Sequence, residues 1–301
     1  MRFAVLGEAV IDLVERPDGA FAAHPGGSPL NVAVALSRLR RPVELLARFS
    51  TGLFGRRLRA HAEGNGVGLR HAVTAREPAT LAAVAIDPSG SAAYDFYVDG
   101  TADWQWTAED LAALPAFDVL HTGSLACARP PGGERILTLL RRLRAEGGTL
   151  VSYDPNVRPG LTDDLCALRR RVEAFAAVAD VVKSSDEDLA LLYPGRAAED
   201  VVAEWRSLGA GLVVVTRGAD GAFATTADGV YDSPGERVPV VDTIGAGDAF
   251  MAALLAAHGT MPIPEALRLA GRVAALTCTR PGADPPTLAE VEAAYPAPSP
   301  S

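Results

Sequence analysis

Asp242-Thr243-Ile244-Gly245-Ala246-Gly247-Asp248-Ala249-Phe250 is the stretch on which the reading of this chain turns. Two glycines bracket an alanine, an aspartate follows, and an apolar run through Phe250, Met251, Leu254 and Leu255 has helical spacing. A small-residue turn that opens a helix leaves several backbone N–H groups without intrahelical acceptors, all pointing the same way. The positive end of the helix dipole lies there too, so the turn suits an anion. Gly245 and Gly247 lack a Cβ, which lets phosphate oxygens approach the backbone closely. A carboxylate beside such a cradle would repel phosphate. It makes chemical sense if Asp248 takes the proton of a hydroxyl that attacks a phosphoryl group. The plainer alternative is a first-turn aspartate that complements the dipole, with Gly-Ala-Gly serving only as a tight turn.

Composition narrows the possibilities. At 301 residues the chain can form one large α/β domain or two small ones. It is 49% apolar and 22% charged, as soluble globular proteins are. A net charge of −9 argues against nucleic acid or an anionic membrane as the main partner. Lys183 is the only lysine, so no Gly-Lys-Ser/Thr loop of the Walker A kind exists. Cys127, Cys166 and Cys278 are scattered and odd in number, which disfavours a disulfide framework or a zinc site. Neither His-Glu-x-x-His nor Gly-x-Ser-x-Gly occurs. The opening residues read as a first strand rather than a signal peptide, and the apolar stretch at 249–257 is too short to span a bilayer. A cytoplasmic enzyme is expected.

Residues 2–7, 43–49, 117–122, 150–153, 181–182 and 212–216 read as strands. Residues 31–39, 54–63, 134–145, 165–177, 186–193 and 199–208 read as helices. Their alternation predicts an α/β fold: a mainly parallel central sheet with helices on both faces, ligands lying beyond the carboxyl ends of the strands. Residues 79–99 break the rhythm. Two strand-like runs, Leu81–Ile86 and Ala92–Val98, flank Asp87-Pro88-Ser89-Gly90, a good turn sequence. Tyr94, Phe96 and Val98 would share one face of the second run. Such a hairpin suggests a small sheet beside the main one, a lid or a dimer surface, the alternative being an edge hairpin of the main sheet. The Pro/Ser tail at 296–301 is expected to be disordered.

With Gly245-Ala246-Gly247-Asp248 near one end and Gly26-Gly27-x-x-x-Asn31 near the other, the chain resembles the ribokinase-like (PfkB) family of sugar kinases over nearly its whole length. Segments 26–31, 96–104, 153–159 and 185–189 are similar to the bacterial fructokinase branch in particular. The resemblance implies a three-layer ribokinase-like fold, one domain over 1–301, with a β lid from about 10–25 and 73–103. It implies an ATP-dependent kinase acting on a sugar hydroxyl, fructose before others. A kinase for another sugar or for a sugar acid such as 2-keto-3-deoxygluconate is the alternative, as is a catalytically silent sugar- or nucleotide-binding regulator.

Carried over residue by residue, the resemblance makes Asp248 the general base and the N–H groups of Gly245, Ala246 and Gly247 an anion hole. Asp12, Gly26, Gly27 and Asn31 match sugar-contacting positions, the alternative being that Asn31 caps the helix behind it and Gly26-Gly27 is only a turn. Tyr94 and Phe96 are candidates to pack on the sugar's apolar face, or lid against lid in a homodimer. Arg158 would face the γ-phosphate or a substrate oxygen; the alternative is an ion pair with Asp154 or Asp163. Thr216, Gly218 and Gly221 match a turn beside the ATP phosphates and ribose. Ser185 and Asp188 stand where the broad family has Asn-x-x-Glu near a magnesium–phosphate water network. The shorter Ser185 departs from that pattern, and Asp188 keeps an oxygen for Mg2+ through water. Lys183 could reach nucleotide phosphates or merely solvate a strand end. Ser28, where the ribokinase branch has lysine, argues against ribose, and Gly52 replaces a usual aspartate. Carbonyls around Asp242 and Ile244, with the loop at 279–283, are a candidate potassium site.

Overall fold

The computed structural model describes residues 1–16, 18–86, 92–112, 114–161 and 164–295. The Asp87-Pro88-Ser89-Gly90 turn, Asp163 and the 296–301 tail lie outside the described residues, as does the side chain of Tyr94. The strands are β1 Phe3–Leu6, β2 Val10–Glu15, β3 Phe21–Gly26, β4 Val43–Leu46, β5 Arg48–Ser50, β6 Val73–Ala75 and β7 Leu81–Ile86. They continue as β8 Ala92–Tyr97, β9 Val119–Gly123, β10 Leu150–Asp154, β11 Val181–Ser185, β12 Leu212–Thr216, β13 Ala222–Thr226 and β14 Gly229–Ser233. Eight of them form a central sheet in the order β14-β13-β12-β11-β10-β9-β1-β4. From β4 to β12 every pairing is parallel; β13 and β14 add an antiparallel edge.

The sequence explains this sheet. β1 (Phe-Ala-Val-Leu) and the Leu-Val-Val-Val core of β12 are buried throughout, as continuous apolar runs must be when helices cover both faces. One face packs Val5, Val119, Val181 and Val214 against the helices Ser28–Arg38, Leu53–Gly64, Ala246–Ala257 and Ile263–Cys278. The other packs Leu6, Leu120, Tyr153 and Val215 against helices that include Gly132–Glu146, Leu165–Ala176 and Ala198–Leu208. The Ala246–Ala257 helix is apolar on all sides and buried from Asp248 to Ala257, held between the Ser28–Arg38 and Ile263–Cys278 helices. β1 lies between β4 and β9, so chain connections leave in opposite directions there, and a crevice opens beyond the carboxyl ends of those strands.

The hairpin of residues 79–99 is not an edge of this sheet. It joins β2 and β3 in a separate four-stranded sheet, β3-β2-β7-β8, with β7 and β8 antiparallel. The expected strand 43–49 is two strands: β4 stays in the central sheet, whereas β5 pairs with β6 in a two-stranded sheet of its own. β6 therefore stands apart from the four-stranded sheet. The first helix begins at Ser28 rather than Asn31, because Pro29 suits a first helical turn and Gly27, at φ 106, ends the preceding extended segment. No helix among the described residues is long and apolar enough to cross a membrane.

Candidate active site

Starting Ser28–Arg38 one turn early puts Ser28 and Asn31 on the same helical face, three residues apart. Both meet Asp248, in the first turn of the Ala246–Ala257 helix. Ser28 Oγ donates to Asp248 Oδ1 at 2.6 Å, and Asn31 Nδ2 donates to Oδ2 at 2.8 Å. Ser28 was not among the site residues expected from sequence, although its offset from Asn31 was the available signal. Burial pushes the Asp248 carboxyl up. The bonds from Ser28 and Asn31 and the charge of Lys183 oppose that push, while Asp154 adds to it.

Gly245 caps the Ala246–Ala257 helix in the left-handed conformation at φ 77, and a Cβ there would come within 2.7 Å of Ala283. Ala246 donates its N–H back to the Thr243 carbonyl at 3.2 Å. The N–H groups of Gly245, Gly247 and Asp248 meet no protein acceptor among the described residues. Donors are thus concentrated at the positive helix end. The Asp242 carboxylate holds this turn to the neighbouring loop, accepting from Ile244 at 3.0 Å and from Gly282 at 2.8 Å.

Across the crevice, Asp12 of β2 faces Gly26, whose missing Cβ would otherwise lie 2.1 Å from Asp12 Oδ2. Asp12 is in register with Ala82 of β7, and Ala82 with Phe96 of β8, so Asp12 and Phe96 share one face of the small sheet. Burial raises the Asp12 carboxyl to about 6; Arg158 pulls it down and Asp248 pushes it up. Those couplings gather Asp12, Arg158 and Asp248 into one electrostatic neighbourhood. Arg158 does not pair with Asp154; its guanidinium donates to the Asn156 and Val157 carbonyls.

At the ends of β10 and β11 the polar groups are tightly engaged. Lys183 Nζ lies 2.8 Å from Asp154 Oδ2, both side chains buried, so Lys183 does not solvate a strand end. Ser185 caps the Asp186–Leu192 helix in a capping box with Asp188. Asp188 also accepts the Val157 N–H at 2.9 Å through Oδ1, the oxygen that the capping box does not use. Thr216 ends β12, and Gly218 (φ 52) and Gly221 (φ 88) shape the turn that follows. A Cβ at Gly221 would strike the Ser233 carbonyl at 2.1 Å.

A buried, hydrogen-bonded carboxylate thus lies next to free amide donors at the carboxyl edge of a parallel sheet, a setting suited to transfer of a phosphoryl group to an alcohol. The model of the pfkB family carbohydrate kinases matches residues 2–290. The chain belongs to that family and is an ATP-dependent carbohydrate kinase. It is 37% identical over 255 residues to a fructokinase of Rhizobium leguminosarum bv. trifolii, covering 83% of this chain and 77% of the relative. The crystal structure of a fructokinase with bound ATP from Xylella fastidiosa superposes with a TM-score of 0.89 at 30% identity, covering 97% of each chain. A fructokinase double variant from Vibrio cholerae O395, solved with fructose, ADP and potassium ion, gives 0.87 at 30% identity and the same coverage.

Proposed function

We propose that this kinase is a fructokinase, transferring the γ-phosphoryl group of ATP to the 6-hydroxyl of fructose. The observation that carries the reading is Asp248, gripped by Ser28 and Asn31 directly behind the amide donors of Gly245 and Gly247. The fructokinases among its relatives, one of them bound to fructose, support the choice of sugar.

In this reading Asp248 takes the proton of the sugar's primary hydroxyl as that oxygen attacks phosphorus in line. A positioned base contributes roughly 10²–10⁴ in rate. The amides of Gly245 and Gly247 receive charge growing on the transferred group, each worth roughly 10²–10³. Ala246 shapes the turn through its bond to Thr243. Asp12, Tyr94 and Phe96, with room made by Gly26 and Gly27, orient the sugar. Arg158 offsets charge near the γ-phosphate, and Thr216, Gly218 and Gly221 cradle the nucleotide.

No group of three or more acidic, histidine or cysteine side chains could cage a metal among the described residues. Magnesium therefore fits as an ion carried by the nucleotide's phosphates and water, met by Asp188 through water. Bound there, it neutralises phosphate charge. The loop tied down by Asp242 suits a monovalent cation held by backbone carbonyls, a reading supported by the potassium-bound relative. The small sheet is assigned as a lid that excludes water. Pairing of two copies through it, and a cytoplasmic location, belong to the same proposal.

A coupled assay of ADP release against fructose, ribose, other hexoses and 2-keto-3-deoxygluconate tests it. Turnover on fructose tenfold or more above the rest, with the 6-phosphate as product, is expected. Preference for another acceptor overturns the sugar assignment, and sugar binding without turnover overturns the enzymatic one.

A further inference from the structure

Of 28 basic residues in the chain, 27 are arginine and one, Lys183, is lysine. That one lysine is also the deeply buried cation nearest the glycine turn. Its ammonium sits 2.8 Å from Asp154 Oδ2, with the two side chains 6% and 1% exposed. It would lie 3.0 Å from a Cβ at Gly247, so the absent side chain of Gly247 admits the ammonium beneath the turn. Arg48, the other buried cation, spends its guanidinium on Ala102, Asp110 and Glu77 instead. A planar guanidinium is larger than an ammonium and needs a fork of acceptors; a compact point charge fits where one carboxylate oxygen and a backbone turn converge.

The partner of Lys183 has a second attachment. Asp154 Oδ1 accepts the N–H of Asn156 at 3.2 Å, and Asn156 is held at φ 38, a left-handed conformation uncommon outside glycine. Asp154 thus joins Lys183 to the bend that leads into Arg158. A buried ion pair is weak evidence for stability, because its desolvation offsets most of its attraction. Its placement points to another use.

We propose that Lys183 is a positioning residue for phosphoryl transfer: a fixed positive charge beneath the Gly245–Asp248 turn that keeps Asp248 ionised and couples that turn to the Arg158 segment. The inference rests on the reading of Asp248 as base. The charged groups that act on that carboxylate are Asp12 on β2, Asp154 on β10 and Lys183 on β11, while Arg158 acts on Asp12, and Asp188, on the Asp186–Leu192 helix, faces Asp154 and Lys183. His121, on β9, is bonded to Ser152 and driven down to about 3 by burial and Lys183, so it stays neutral. Lys183 is therefore the cation that opposes the pull of Asp154 on Asp248.

The experiment compares Lys183→Met, Lys183→Arg and Lys183→Met/Asp154→Leu in kcat, KM and melting temperature, with pH profiles of kcat/KM. Lys183→Met is expected to lower kcat about 30-fold or more, to leave the sugar KM within about threefold, and to move the acidic limb about one pH unit upward. The double variant should regain the wild-type melting temperature but not the rate, and Lys183→Arg should not rescue it. An unmoved limb, or a double variant within about threefold of wild-type kcat, overturns the proposal. Asp248→Asn separates the two readings: if it keeps turnover and its acidic limb, the base assignment itself fails, whatever Lys183 does.

Discussion

Ser28 and Asp248 stand 220 residues apart in the chain, and a 2.6 Å hydrogen bond joins them. The bond links the helix that begins behind the Gly26-Gly27 bend to the helix behind the Gly-Ala-Gly turn. It stabilises the ionised carboxylate against its burial. Ser28→Ala should therefore raise the proton affinity of Asp248. The acidic limb of kcat/KM should move upward by about half to one pH unit, with only a few-fold loss of turnover at pH 8. A pH profile of the variant checks this; an unshifted limb would mean that Ser28 has no hold on the base.

Gly26→Ala tests the sugar side separately. The new Cβ would fall 2.1 Å from Asp12 Oδ2, so the carboxylate must turn away. The expected result is a fructose KM raised about tenfold, with the ATP KM unchanged and kcat within about threefold. Steady-state kinetics with both substrates varied decide it, and an unchanged fructose KM would remove Asp12 from the sugar site.

The architecture was legible because periodicity is a local property. Residues 212–216 were read as the strand that forms, and the Gly-Ala-Gly-Asp turn opens its helix as expected. What escaped depends on contacts between distant segments. The apolar residues Leu45, Leu46, Ala47 and Phe49, interrupted only by Arg48, do not reveal that β4 and β5 enter different sheets. The β13–β14 hairpin carries a local signal, Asp228-Gly229 between two strand-like runs, outside the alternation from which the sheet was expected. At the site, residue types suggested roles but not partners. Asn31 was expected against a sugar and donates to Asp248; Lys183 meets Asp154; Ser185 and Asp188 cap a helix. A sequence lists the polar groups of a crevice, and only the fold decides which of them satisfy one another.

Glu8 predicts how stability depends on pH. It is fully buried between β1 and β2, accepts the Ala126 N–H, and is pushed up to about 7 by burial, with Asp103 adding repulsion. Unfolded, such a group ionises near 4.5, so between these values the native state holds a proton that the unfolded chain releases. Its stabilising contribution is complete below pH 4.5 and is lost as pH rises through 7. Asp103, raised to about 6, acts in the same sense. Urea unfolding at pH 5 and pH 8 should show stability falling with pH, and Glu8→Gln should flatten that slope by up to about 3 kcal/mol. Equal slopes would contradict it.

Phe21 and Tyr97 are 53% and 59% exposed, and register puts them on the face of the small sheet opposite Asp12. If two copies pair there, sedimentation should give a dimer for the wild type and a monomer for Phe21→Ser/Tyr97→Ser. A variant that stays dimeric puts the contact elsewhere.

The most direct test is a single-turnover measurement of fructose phosphorylation by Asp248→Asn, mixed with ATP in a rapid-quench instrument. The chemical step should slow by at least about 10² while calorimetry shows fructose binding nearly unchanged, since asparagine keeps the shape but cannot take the proton. A rate near that of the wild type would contradict the assignment of Asp248 as the base.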